Sequence, residues 1–274
     1  MQYSTFAAID IGSYDVILEI FEISKKQGIR SVDKICHRME LGKDTYTLGK
    51  IRPEMEEELC RVLADFVRIM EGYRVDDYRA AASSAISEAS NSLYVLGKIH
   101  QLTGLSVTVL SNSEQRFLSY KALAAMEDNF NKIIEKGTAI LDLDGGSFQI
   151  SLFDKDALVT TQNIRMGSLR IRERLAGIQS ETEHYEEMVE ELIWNEVSSF
   201  KKMYLKDRKI ENIMLIGDVF TDSVYQNIEE KTTKIISREN FNTWYEKIIR
   251  QSPMELAVKL GIPLENASLM YRLL

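Results

Sequence analysis

Apolar and polar positions change period along this chain, and the changes divide it into elements. Phe6 to Asp10 (FAAID) is a short apolar run ending at an acid, and Val16 to Ile23 (VILEIFEI) is rich in β-formers. Both are predicted strands, joined by a tight turn over Ile11 to Asp15. A third strand is expected over Ile29 to Met39. From Pro53 to Tyr73 the period becomes helical, with Met55, Leu59, Val62, Leu63, Phe66, Val67 and Met70 on one face. Pro53 suits the first helical position, and Glu54, Glu56, Glu57 and Glu58 suit the positive end. Tyr78 to Ala82 and Leu105 to Leu110 are predicted strands. Ala89 to Leu102 and Ser113 to Met126 are predicted helices, the first stopped near Gly104.

The strand pattern then begins again. Thr138 to Leu143, Ser147 to Phe153 and Leu158 to Ile164 are predicted strands. Ser180 and Glu183 have capping-box spacing and open a long helix carrying Tyr185, Met188, Val189, Leu192, Val197 and Phe200. Ile213 to Ile216 is a short strand, and helices fill most of the rest. The apolar run Ser268 to Leu274 is expected to pack on a domain body. Phe6 to Phe21 (FAAIDIGSYDVILEIF) and Thr138 to Phe153 (TAILDLDGGSFQISLF) share one plan: strand, Asp, Gly/Ser turn, strand. Two such units predict an α/β chain of two related halves, residues 1–125 and 126–274, around a cleft.

Composition narrows the chemistry. Of 274 residues, 45% are hydrophobic and 28% charged, which is an ordinary globular mix. The two cysteines, Cys36 and Cys60, allow no disulfide framework, and the three histidines are scattered. A His/Cys metal site is disfavoured, while a carboxylate Mg²⁺ site stays open. The net charge of −8 argues against broad binding to nucleic acid or anionic membrane. No apolar run approaches the ~20 residues of a membrane span. Met1 to Phe6 lacks the basic start and apolar core of a signal peptide, so a cytoplasmic location is expected. Core packing is expected for Trp194 and Trp244, and for the methionines.

The repeated turns are the candidate site. Glycine lets backbone N–H groups approach a phosphate closely, and an aspartate at the strand end can hold Mg²⁺ or orient a water. An ordinary hairpin explains either turn alone. The pair, Asp10-x-Gly12-Ser13 and Asp142-x-x-Gly145-Gly146-Ser147, favours phosphate binding.

The motifs AAIDIGS (Ala7 to Ser13), AASSAISEASN (Ala81 to Asn91), LSNSEQ (Leu110 to Gln115), ILDLDGGSFQISLF (Ile140 to Phe153) and RMGSLRIRE (Arg165 to Glu173) occur in that order. Together with Leu260-Gly261-Ile262-Pro263, the chain resembles the exopolyphosphatase / guanosine pentaphosphate phosphohydrolase (Ppx/GppA) family over roughly its whole length. The resemblance implies an actin/Hsp70/sugar-kinase-like fold of two ribonuclease-H-like domains with the active site between them. It implies Mg²⁺-dependent release of terminal phosphate from inorganic polyphosphate or pppGpp. It makes Asp142, Glu114, Gln115 and Gln149 the catalytic positions. Gly12, Ser13, Gly145, Gly146, Ser147 and Arg170 would bind phosphate, and Asp10, Asp142 and Asp144 would bind metal. Polyphosphate or a guanosine polyphosphate is the implied partner, and a homodimer is left open.

The departures from the family pattern are as specific. Tyr14, Asp15 and Ile17 stand where the first turn usually continues with Asn, Ser and a basic residue. Ser87 stands where the family has a phosphate-binding Arg. Gln115 replaces the general base, Gln149 a second Glu, and Asp144 a turn Gly. An amide cannot take a proton from water at neutral pH. Glu114, Asp144 or Asp15 could substitute, although Asp15 reads better as a solvated turn acid. Arg165, Arg170, Arg172 and Arg174 read equally as a solvated face or a phosphate contact. In Ile216-Gly217-Asp218, Asp218 replaces one of the family's two glycines, which weakens a nucleoside pocket. Two functions therefore stand: a phosphohydrolase with a rearranged carboxylate set, or a catalytically inactive phosphate- or nucleotide-binding regulatory protein.

Overall fold

The structure, a computed structural model, describes residues 3–26, 28–127, 129–177, 184–217, 237–260, 264, 267 and 269. Two compact units make up the chain, Met1–Leu123 and Ala124–Leu274.

In the first unit, β1 (Ser4–Ile11), β2 (Asp15–Ser24) and β3 (Gly28–Arg38) form an antiparallel meander. β4 (Asp77–Ala82) adds parallel to β1, and β5 (Val107–Val109) parallel to β4, giving the order β3-β2-β1-β4-β5. Strand alternation puts Ala7, Ile9 and Ile11 of β1 and Val16, Leu18 and Ile20 of β2 into the core. Asp10 and Ile17 share the other face, directly opposite one another. The helix α2 (Pro53–Tyr73) meets the core with Leu59, Leu63, Phe66 and Met70, as its period predicts. Truncating such a side chain, Leu63→Ala for example, costs about 2–5 kcal/mol. Val95 and Ile99 bring in α4 (Ser92–Thr103).

Two short helices of this unit escape the hydrophobic pattern: α1 (Leu41–Leu48) and α3 (Ser84–Ser87). α1 includes Gly42, is capped by Gly49 and carries Thr45 and Thr47, so local propensity speaks against it. Tertiary bonds hold it instead. Thr45 Oγ1 donates to Ala85 O at 2.7 Å, and the buried Asp44 accepts from Arg52 N and Nε at 2.9 Å each. α5 (Asn112–Met126) runs across the boundary.

The second unit repeats the plan. β6 (Thr138–Leu143), β7 (Phe148–Asp154) and β8 (Ala157–Ile164) are antiparallel, and β9 (Asn212–Ile216) pairs parallel to β6, in the order β8-β7-β6-β9. This unit also holds α6 (Phe130–Ile134), α7 (Ser168–Leu175), α8 (Tyr185–Phe200), α9 (Arg238–Ile248) and α10 (Pro253–Leu260). Its core joins Phe148, Ile150 and Leu152 to Val189, Phe200, Trp244 and Leu256, and includes Ala267 and Leu269 near the chain's end. Antiparallel β1-β2-β3 or β6-β7-β8, followed by a strand parallel to the first, is the ribonuclease-H-like arrangement in each unit.

Trp194 corrects the expectation of two core tryptophans. It is 61% exposed on α8, with Lys201 Nζ 5.2 Å from its ring centroid, whereas Trp244 is buried. The Ser180–Glu183 capping box and Asp218 lie outside the described residues. Among the described residues no helix is long and apolar enough to cross a membrane.

Candidate functional site

The two predicted turns are built alike. In the first hairpin Gly12 N–H donates to Asp15 O at 3.0 Å; in the second, Asp144 N–H donates to Ser147 O at 3.0 Å. Each acid of the repeat, Asp10 and Asp142, lies two residues before that bond. The helix after each third strand then braces the hairpin tip. Gly42 N–H, in the first turn of α1, donates to Ser13 O at 2.8 Å, and Leu169 N–H, in the first turn of α7, donates to Gly145 O at 3.0 Å. The sequence repeat is thus a structural one, down to the bonds that fix each tip. Gly12 is required where it stands, because a Cβ would lie 2.8 Å from Asp15 O.

Around the first turn the side chains are unlike a basic phosphate cradle. Ser13, Tyr46 and Ser84 form a closed triangle of hydroxyls, with Ser13 Oγ to Tyr46 Oη at 2.7 Å, Tyr46 Oη to Ser84 Oγ at 2.8 Å, and Ser13 Oγ to Ser84 Oγ at 3.1 Å. Arg38, opposite Asp15 in the β2–β3 ladder, donates from Nε to Asp15 Oδ1 at 3.0 Å and lies over the Tyr14 ring. Asp15 is therefore a paired acid and not the solvated turn acid expected. Asp10 is reachable by water, yet protein crowds its carboxyl, and this desolvation pushes its pKa up to about 6. Ser87, at the end of α3, is exposed.

The second turn is packed more tightly. Gly145, Gly146 and Ser147 are buried. A Cβ on Gly167 would meet Asp144 O at 2.3 Å, and one on Gly217 would meet Leu143 O at 2.3 Å. Arg170 donates from Nε to Gly146 O at 2.8 Å, so this arginine holds the turn itself. Arg172 is buried and donates from Nη2 to Glu173 at 3.0 Å, while Arg165 is exposed. The basic cluster is thus partly structural. Asp142 is buried, and directly opposite it on β7 stands Gln149, 1% exposed, with neither amide atom hydrogen-bonded among the described residues. Asn163 continues this polar row on β8.

Glu114 and Gln115 lie in the first turn of α5. Glu114 closes a capping box: its Oε2 accepts from Ser111 Oγ at 2.7 Å and Ser111 N at 2.8 Å. Those bonds, the side-chain one first, hold its carboxyl below the usual range, which weakens it as a base. Gln115 is half-buried beside it.

In the second unit Asp142 and Asp144 offer carboxylates of the kind a hard cation takes, and in the first unit Asp10 offers a desolvated one. Mg²⁺ is commonly held by one or two carboxylates with phosphate and water completing the shell. Among the described residues no three His, Cys, Asp or Glu side chains form a ready-made cage.

Sequence reading missed Tyr46 and Arg38. Tyr46 sits on the unpredicted α1, and no pattern in the sequence marks it. Arg38 could have been noticed as a cation at the end of the strand that pairs with the turn.

The model of the Ppx/GppA phosphatase family matches residues 19–260. The bifunctional 3-dehydroquinate synthase/phosphatase of Fusobacterium nucleatum is 22% identical over 238 residues, covering 82% of this chain and 34% of that protein. Exopolyphosphatase 1 of Mycobacterium leprae is 25% identical over 144 residues, 52% of this chain and 41% of that protein. These matches thus span well under half of either relative's length. Among solved structures, the Aquifex aeolicus Ppx/GppA family member superposes with a TM-score of 0.73 at 20% identity, covering 99% of this chain and 87% of that one. An exopolyphosphatase from Cytophaga hutchinsonii gives 0.71 at 19% identity, covering 99% and 90%.

Proposed function

The chain belongs to the Ppx/GppA phosphatase family, and from that membership we propose that it is a phosphohydrolase releasing terminal phosphate from inorganic polyphosphate or guanosine pentaphosphate. The observation that carries the reading is the repeated hairpin, in which an acid two residues before a braced turn recurs in each unit. Backbone N–H groups of such turns are suited to phosphoryl oxygens. In this reading Gly12, Ser13, Gly145, Gly146 and Ser147 hold phosphate. Arg170 supports the second turn by fixing Gly146.

Asp142 and Asp144, in the second turn, would hold Mg²⁺, which would supply charge neutralisation on the phosphate chain, and Asp10 is left free of metal. The proton from the attacking water needs an acceptor near neutral pH. Asp10 is the carboxyl best matched to that task, because its pKa is raised to about 6. Glu114 is held low by its capping bonds and is the poorer candidate. Gln115 and Gln149 orient water or phosphate through their amides and accept no proton. Slow turnover follows.

A second reading, binding without turnover in a regulatory role, is favoured by the same two glutamines and by the buried amide opposite Asp142. Release of inorganic phosphate from medium-chain polyphosphate and from pppGpp, with and without Mg²⁺, tests the choice. Release that depends on Mg²⁺ and falls in Asp10→Asn supports hydrolysis. Thermal stabilisation by either compound with no release supports binding alone. Neither effect with either compound refutes the substrate class. A cytoplasmic location is part of the proposal.

A further inference from the structure

We infer that Tyr46 is a positioning residue, which turns the Ser84 hydroxyl toward a phosphoryl oxygen at the first turn; this rests on the phosphate reading above. Three hydroxyl oxygens lie within 3.1 Å of one another, each able to donate one proton and accept others. The longest edge, Ser13–Ser84 at 3.1 Å, is the one most readily opened. Opening it leaves Tyr46 Oη between the two serines, and burial decides which serine meets a ligand. Ser13 is only 5% exposed, whereas Ser84 is half-buried, so Ser84 is the serine with access to an incoming ligand. The chain then runs from Ser13 O–H to Tyr46 Oη, from Tyr46 O–H to Ser84 Oγ, and from Ser84 O–H to the anion.

The phenol suits the middle place because it is more acidic than a serine hydroxyl. A hydroxyl that accepts from a good donor becomes a better donor itself. Tyr46 is also held firmly. α1 is tied to the hairpin by Gly42 N–H on Ser13 O and to α3 by Thr45 Oγ1 on Ala85 O, so the ring carries little freedom to lose on binding. Neutral donors answer a local problem. Arg38, the cation beside this turn, is already paired with Asp15, and Asp10 adds an uncompensated acid. Hydroxyls bind a phosphoryl oxygen there without competing for those carboxylates.

The test is calorimetric titration of tripolyphosphate with Mg²⁺ into the wild-type chain, Tyr46→Phe, Ser84→Ala and the double variant. Tyr46→Phe is expected to weaken binding about 3- to 10-fold, the effect of one hydrogen bond. In the Ser84→Ala background the same change is expected to do nothing further, because Tyr46 acts through Ser84. A purely structural tyrosine would give losses that multiply, and that result overturns the inference. Wild-type binding matched by Tyr46→Phe overturns it too, while leaving the phosphate reading intact. No binding by the wild type refutes the phosphate reading, and Tyr46's role with it. Should Tyr46→Phe not fold, the wild-type protein carrying ¹³Cζ-tyrosine decides: saturating tripolyphosphate must move the Tyr46 resonance, and an unmoved resonance overturns the role.

Discussion

Gln149 stands directly opposite Asp142 across the β6–β7 ladder, where the first hairpin sets Ile17 opposite Asp10. The repeat has thus kept its geometry while changing the chemistry beside each acid. Gln149 is buried with neither amide atom bonded among the described residues. Leaving a buried polar group unsatisfied costs about 1–3 kcal/mol. Gln149→Met, which keeps the volume and removes the amide, is therefore expected to raise the thermal midpoint by about 2–4 °C per kcal/mol recovered. Scanning calorimetry checks this. A lower midpoint in the variant would show that the amide is satisfied in solution.

Asp10 gives a pH signature. Its folded pKa, about 6, lies above the ordinary aspartate value of 3.8, through desolvation. The native state keeps a proton there that the unfolded chain releases. The contribution of Asp10 to stability is therefore fully present below about pH 4 and is lost as pH rises through about 6. Asp10→Asn is neutral at every pH. Its melting temperature is expected to match wild type near pH 4 and to exceed it above pH 6. A gap of constant size from pH 4 to 8 would show that Asp10 does not titrate in this window.

Gly217 and Gly97 separate steric need from tolerance. Gly217 has φ +110°, and an added Cβ would lie 2.3–2.7 Å from the backbone of Leu143, next to the second turn. Gly217→Ala is expected to destabilise the protein and to weaken phosphate binding, since Leu143 and Asp144 must move. Gly97 is inside α4 with nothing within 4 Å of its added Cβ. Gly97→Ala is expected to stabilise by about 0.5–1 kcal/mol with binding unchanged. Chemical denaturation of both variants measures the contrast, and equal effects would refute it.

Long periodic elements were legible in the sequence. The helix Pro53–Tyr73 was readable to the residue, because its apolar face, its proline and its acidic first turn all agree. The two hairpins were readable because in each an aspartate at a strand end is followed by a Gly/Ser turn and a second apolar strand. Elements held by tertiary bonds were not. α1 depends on Thr45 reaching Ala85 and on Asp44 reaching Arg52, contacts of residues 40 and 8 positions apart that no local pattern encodes. Tyr46 was hidden for that reason. Glu114 was visible as a carboxylate near the site, but its capping role depends on Ser111 turning back to it. The exposure of Trp194 was equally unreadable, because helical periodicity alone does not say how wide a face α8 buries.

The remaining prediction concerns chemistry. With amides at 115 and 149, the wild-type chain is expected to release phosphate slowly or not at all. A general base contributes typically ~10²–10⁴-fold, which bounds what restoring one can return. Gln115→Glu supplies a carboxylate at the half-buried start of α5. Gln149→Glu places a second carboxylate directly opposite buried Asp142. Two like charges so close do not both ionise without a cation, so the double variant should depend on Mg²⁺ more steeply than wild type. Its gain will be less than the product of the single gains if the two groups act on one water. Initial rates of phosphate release, with Mg²⁺ varied, measure both effects. Activity that appears only in the double variant would identify a family scaffold whose chemistry had lapsed at these two positions. Brisk wild-type turnover abolished by Asp144→Asn or Glu114→Gln would show instead that a carboxylate of the second turn or of α5 has taken over. In that case the lowered pKa of Glu114 makes Asp144 the first residue to test.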